Sequence, residues 1–205
     1  MVLQFVRLAV LLALLWAPAA LAQSPAWIAA LQQGGHVIVL RHGATYPDQA
    51  DTNPLDPKDT AHQRQLNDSG RALAKSMGEA LHKLKVPVGK VRTSLFQRAV
   101  DTGTLLGFGE VSSTADIAEG GLVVSPNENN RRTAALRTLA ATPPTQGTNT
   151  ILVTHKPNIM DAFGKDWFDV REGEASIFLP DGKGGYALVA RVQAAEWARL
   201  AQVTP

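Results

Sequence analysis

Val37-Ile38-Val39-Leu40-Arg41-His42-Gly43 decides how this chain is read. Four apolar residues in a row, three of them β-branched, suit a strand covered on both faces, because a strand with one wet face alternates instead. The run stops abruptly at a guanidinium, an imidazole and a glycine, so the polar groups stand at the carboxyl end of the strand. A second run of the same kind, Thr150-Ile151-Leu152-Val153-Thr154, ends in His155-Lys156-Pro157.

Working outward, the loop Pro47 to Asp59 is rich in Pro, Asp and Asn. Beyond it, Asn67 or Asp68 is placed to cap a helix whose apolar positions Leu73, Met77, Leu81 and Leu84 recur at three- and four-residue steps. Pro87 to Arg92 predicts another strand, Gln97 to Leu106 a second helix and Arg131 to Leu139 a third. Ala175 to Leu179 and Tyr186 to Ala190, joined through Pro180-Asp181-Gly182, predict a hairpin added to the sheet. Strands alternating with helices predict a three-layer α/β/α domain, its mostly parallel sheet carrying helices on both faces. The site is then expected in the crevice outside the strands' carboxyl ends.

The composition agrees with one globular domain: 205 residues, 45% hydrophobic, 20 Lys+Arg against 18 Asp+Glu for a net charge of +2. So even a balance, without a basic cluster, argues against a nucleic-acid partner. The absence of cysteine removes thiol nucleophiles, thiolate metal sites and disulfides together. Met1 to Ala22 carries Arg7, then the apolar run Leu8 to Ala17, then small residues at Ala20 and Ala22. That order is the pattern of a secretory signal peptide cut before Gln23, and an uncleaved membrane anchor is the alternative. The expectation is a periplasmic or secreted domain of residues 23–205, with no second membrane-spanning stretch.

Two parallel strands that each end in a histidine should deliver both rings, His42 and His155, to one crevice. Arg41 beside His42 suits an anion there. Thr93-Ser94-Leu95-Phe96-Gln97-Arg98-Ala99 reads as a strand end turning into a helix, with Ser94 able to cap it and Arg98 on its first turn. Pro157 suits the first position of a helix whose amide groups would add to the anion site. A zinc site on His42 and His155 is disfavoured by the flanking cations, so no metal and no cofactor is expected. The Gly-rich phosphate loop with Lys-Ser/Thr, the Gly-x-Ser-x-Gly elbow and the His-Glu-x-x-His pair are all missing.

Taken in order, Arg41-His42-Gly43, Gln65-Leu66-Asn67-Asp68-Ser69-Gly70-Arg71, Ser94 to Arg98 and Thr154-His155 resemble the histidine phosphatase superfamily, also called phosphoglycerate mutase-like, over nearly the whole chain after Ala22. The resemblance implies that His42 is the nucleophile and forms a phosphohistidine, that Arg41, Arg98 and His155 hold the phosphoryl oxygens, and that Gly43 lies in the phosphate site. It also implies a carboxylic acid to protonate the leaving alcohol. Glu119, after the helix bearing Arg98, is the first choice; the phytase-like aspartate position is taken by Lys156, and Glu128, Asp48, Asp51 and Glu174 are the alternatives. Arg64 and the pair Arg131-Arg132 are candidates for a second anionic part of the substrate, or else solvated basic groups. The function expected is an exported phosphomonoester phosphatase acting on a small phosphorylated substrate. A non-catalytic phospho-ligand binding module and a phosphohistidine protein phosphatase are the rivals.

Overall fold

The structure, a computed structural model, describes residues 25–119 and 124–203, so the Met1–Ala22 leader lies outside the described residues. A six-stranded sheet runs through the domain in the order β3-β2-β4-β1-β5-β6. Its strands are β1 (Val37–Arg41), β2 (Val88–Ser94), β3 (Val111–Thr114), β4 (Asn149–Thr154), β5 (Ala175–Pro180) and β6 (Tyr186–Val192). The first four are mutually parallel, while β5 runs antiparallel to β1 and makes a hairpin with β6.

The helices are α1 (Ala26–Gln33), α2 (Asp68–Lys83), α3 (Gln97–Leu105), α4 (Pro126–Ala141), α5 (Lys156–Phe163) and α6 (Ala194–Val203). Alternation along β1 divides the core. Ile38 and Leu40 join Leu31, Met77, Leu81, Ala99 and Trp197 on one face of the sheet. Val37 and Val39 join Leu136, Ala140, Ile159 and Phe178 on the other. Both faces of the central strands are therefore dry, as an unbroken apolar run requires. Among the described residues no helix is long and apolar enough to cross a membrane.

Asn67 caps α2, its side chain accepting from the Gly70 amide at 2.8 Å. Gly70 is required where α2 passes the end of β1: a Cβ there would stand 2.1 Å from the Ala44 carbonyl oxygen. Helix α4 is longer than the Arg131 to Leu139 segment read from the sequence. It starts at Pro126 behind Ser125, whose hydroxyl accepts from the Glu128 amide at 3.2 Å. Helices α1 and α6 and strand β3 were not anticipated. Strand β3 has only four residues at the sheet edge with two exposed serines, and α1 and α6 find their apolar partners across the domain: α6 packs chiefly on α2, and Trp27 meets the edge of Trp197 at 5.6 Å.

Candidate active site

Register builds the site. Leu40 pairs with Val153, Arg41 with Thr154, and Thr93 with Val153, so the carboxyl ends of β1, β4 and β2 finish level with one another. The His42 amide extends the ladder by one more bond, to the Thr154 carbonyl at 3.0 Å. His42 and His155 consequently lie with ring centroids 5.1 Å apart, both buried.

His42 Nδ1 donates to the carbonyl of Gly43 at 2.8 Å. That bond fixes the tautomer and leaves the lone pair on Nε2. Burial is the main force holding the His42 ring well below its usual pKa, and His155, Arg98 and Arg41 push the same way. The ring is thus neutral at physiological pH. The Gly43 amide donates to Thr102 Oγ1 at 3.1 Å, and that hydroxyl donates to the Arg98 carbonyl. Gly43 thus orients the His42 ring through its carbonyl, and its amide is engaged by Thr102.

His155 is oriented differently. Ser94 Oγ accepts from the Phe96 amide at 3.1 Å and lies 2.7 Å from His155 Nε2. Because Ser94 Oγ already accepts from the Phe96 amide, its own proton is directed at Nε2, which leaves the proton of His155 on Nδ1, on the Glu119 side. Ser94 therefore positions a site residue, and α3 has no side-chain cap of its own. The Gln97 amide in its first turn donates instead to Gln63 Oε1 at 2.7 Å. Burial lowers the His155 pKa, opposed by its contact with Glu119.

Arg98 is completely buried, with its guanidinium over the Phe96 ring at 4.6 Å. One terminal nitrogen donates to Asp51 Oδ1 at 2.9 Å and the other to Glu119 Oε2 at 2.8 Å. The same Glu119 oxygen is 3.2 Å from His155 Nδ1. Burial works to raise the Glu119 pKa, but His155 and Arg98 reverse it and hold the carboxyl far below the usual carboxylate range. Glu119 thus stands as an anion among the cations expected to take a phosphoryl group. Its loop is clamped from behind: Asn158 donates to the Ala118 carbonyl at 3.0 Å, and Arg132 to the carbonyls of Ala118 and Glu119 at 3.1 and 3.0 Å.

Arg41 donates to the Val170 carbonyl at 2.8 Å and leans toward Glu172 at 3.5 Å. Both Arg41 and Arg98 keep a buried Nε–H without a partner among the described residues. A cleft of about 430 Å³ opens here, lined by Arg41, His42, Arg64, Glu119 and Lys156. Among the described residues neither Arg64 nor Lys156 has an ion-pair partner.

The other carboxylates are accounted for. Glu174 is buried against Arg191 and Gln193, where it secures the hairpin rather than the cleft. Arg131 and Arg132 hold Glu128 well below its usual range. Asp48 is exposed and lines neither this cleft nor its neighbour. Asp51 accepts from Arg98 and from the Arg64 amide, so it anchors a site residue. Arg131 pairs with Glu128 and Asp116, and Arg132 grips the Glu119 loop, so that pair is not a second anion site. Gln63, Thr102 and Asn158 were missed by sequence reading, because nothing local marks a buried amide or hydroxyl as the support of a distant side chain.

The depressed His42 pKa carries a prediction. In the folded protein, imidazole nitrogen resonances should show His42 neutral and protonated at Nδ1 down to pH 6 and below, whereas a free imidazole titrates near 6.5. A midpoint at or above 6.5 would contradict it. The unfolded chain takes up protons that the buried rings refuse. Stability should therefore fall as pH drops below 6.5, by up to about 1.4 kcal/mol per pH unit for each ring.

No family model matches the chain, and no curated protein does. Solved structures do match. The protein histidine phosphatase SixA, in complex with tungstate, superposes with a TM-score of 0.58 at 17% identity, covering 78% of this chain and 98% of the other. A phosphoserine phosphatase from Entamoeba histolytica gives 0.54 at 12% identity over 78% and 97% of the two chains. A mycobacterial glucosyl-3-phosphoglycerate phosphatase gives 0.52 at 17% over 76% and 97%. Together with the six-stranded, mostly parallel sheet and its helices on both faces, these likenesses show that the chain shares the fold of these phosphatases.

Proposed function

We infer that the chain is an exported phosphatase that hydrolyses phosphomonoesters through a phosphohistidine on His42. The observation that carries the reading is the junction of β1, β4 and α3, where a neutral imidazole of fixed tautomer stands beside His155, Arg41 and Arg98. Export rests on the Met1 to Ala22 pattern alone.

In this mechanism the phosphoryl group displaces the Glu119 carboxylate from Arg98 and His155. Its oxygens take up the free Nε–H groups of the two arginines and the Nδ1–H of His155. Glu119, now facing a phosphoryl anion instead of the Arg98 guanidinium and the His155 N–H, takes a proton from solvent. His42 Nε2 attacks phosphorus, the phosphorus–nitrogen bond forms as the phosphorus–oxygen bond breaks, and Glu119 delivers its proton to the departing alkoxide. Water then attacks the phosphohistidine with Glu119 as base, releasing phosphate and restoring the neutral ring.

The test of Glu119 uses the leaving group. Glu119→Gln should slow alkyl phosphates about 10²-fold more than aryl phosphates, because only a poor leaving group depends on protonation. Equal slowing of both would make Glu119 an anchor for Arg98 and nothing more. A phosphohistidine protein phosphatase is the second reading, favoured by the SixA likeness and by Glu119 being held ionised without substrate. A leaving imidazole needs less help from an acid, so that reading expects Glu119→Gln to be nearly silent on a phosphohistidine peptide.

A further inference from the structure

We propose that a compartment beside the phosphate cleft binds the departing alcohol and selects phosphomonoesters of apolar alcohols, aliphatic or aromatic; the proposal rests on the phosphatase reading above. The compartment has a volume of about 300 Å³ and is walled by Pro54, Leu55, Pro57, Leu95, Phe96 and Val124. It meets the cleft holding His42 and Arg41 at one residue, Glu119, which lines both. A phosphoryl group at His42 whose ester oxygen faces Glu119 therefore directs the rest of the molecule into this space, whose lining is divided between those apolar side chains and the polar groups of Asp51, Glu119 and Arg132.

The polar groups in the wall are already engaged. Asp51 Oδ1 accepts from the Arg98 guanidinium and the Arg64 amide, both at 2.9 Å. Glu119, displaced from Arg98 and His155 by the phosphoryl group, is committed to the ester oxygen. Arg132 donates to Glu128 and to the carbonyls of Ala118 and Glu119. A polyol entering here would lose water without gaining partners for its hydroxyls. A second anionic group would meet two carboxylates, while Arg64 and Lys156 stand in the other cleft. At the rim Leu55 is 75% exposed, the most of any large apolar side chain among the described residues. An apolar ligand would cover it, which supplies the driving force.

Binding of n-alkylphosphonates, from methyl to octyl, measured by titration calorimetry on the chain from Gln23 onward, tests this without requiring turnover. Affinity should rise roughly fourfold per methylene until the compartment is full, the value for burying one methylene, with an increasingly negative heat-capacity change. Leu55→Asp should flatten the series and Leu55→Met should keep it. Leu55 is so exposed that neither change threatens folding, and thermal melts would verify that. A series that is flat or falls with chain length in the parent protein overturns the proposal, as does a slope that Leu55→Asp leaves intact. The phosphatase reading has a separate readout in His42-dependent release of phosphate. A rising series without turnover would keep the compartment and remove the catalysis; turnover with a flat series would do the reverse.

Discussion

His42→Ala is expected to lower kcat for para-nitrophenyl phosphate by on the order of 10³-fold or more, because it removes the atom that takes the phosphoryl group in the proposed mechanism. The side chain is buried at the end of a strand whose neighbours stay packed, and its contacts are one bond to Gly43 and the edge of His155, so the variant should fold. Acid quenching of the parent enzyme with labelled substrate should trap no label, whereas an alkaline quench should trap one phosphoryl group per chain, as an acid-labile phosphorus–nitrogen bond requires. Turnover should persist in EDTA, since the cradle works through arginines and imidazoles. Loss of activity in EDTA with recovery on adding a divalent metal would defeat the phosphohistidine mechanism, as would an active His42→Ala enzyme.

Arg98→Ala should cost kcat on the order of 10²- to 10³-fold, the range for deleting one preorganised donor to a transition-state oxyanion. It should also destabilise the domain. Arg98 is fully buried and bridges Asp51 and Glu119, and removing it leaves two carboxylates facing each other. Breaking a buried pair costs about 3–5 kcal/mol. The expected loss is smaller, roughly 2 kcal/mol, because the two carboxylates keep 20% and 27% of their side-chain surface in water. Arg98→Lys separates the two effects. It retains the charge and so much of the stability, but a single ammonium cannot hold Asp51, Glu119 and a phosphoryl oxygen in a planar fork, so kcat should recover little. Kinetics taken well below each variant's melting midpoint would verify the split. An Arg98→Lys enzyme with near-parental kcat would show that position needs only a positive charge.

The supports of the site explain why so much of it hides from sequence reading. Glu119 was found from its place after the helix that carries Arg98, yet its ionised state depends on Arg98 and His155, 21 and 36 residues away in sequence. Arg132 looks like a basic residue on an exposed helix and in fact holds the backbone of Glu119. Ser94 looks like a helix cap and in fact orients His155, 61 residues on. Each of these roles is set by a contact between distant segments, which no local pattern encodes.

The features that follow from local chemistry were legible in the order of the residues. Two apolar runs ending in histidine specify buried parallel strands, because only a sheet covered on both faces accommodates them, and the level ends of such strands bring His42 and His155 together. The caps at Asn67 and the start of α5 at Lys156-Pro157 are equally local. Only the tertiary structure decided the rest. The tautomer and neutrality of His42, the engagement of the Gly43 amide by Thr102, the exclusion of Glu174 and Glu128 from the cleft, and the apolar compartment beside Glu119 all depend on packing. Burial and the charges that surround a group set its ionisation, and both come from segments far apart in the chain, so they exist only once the chain has folded.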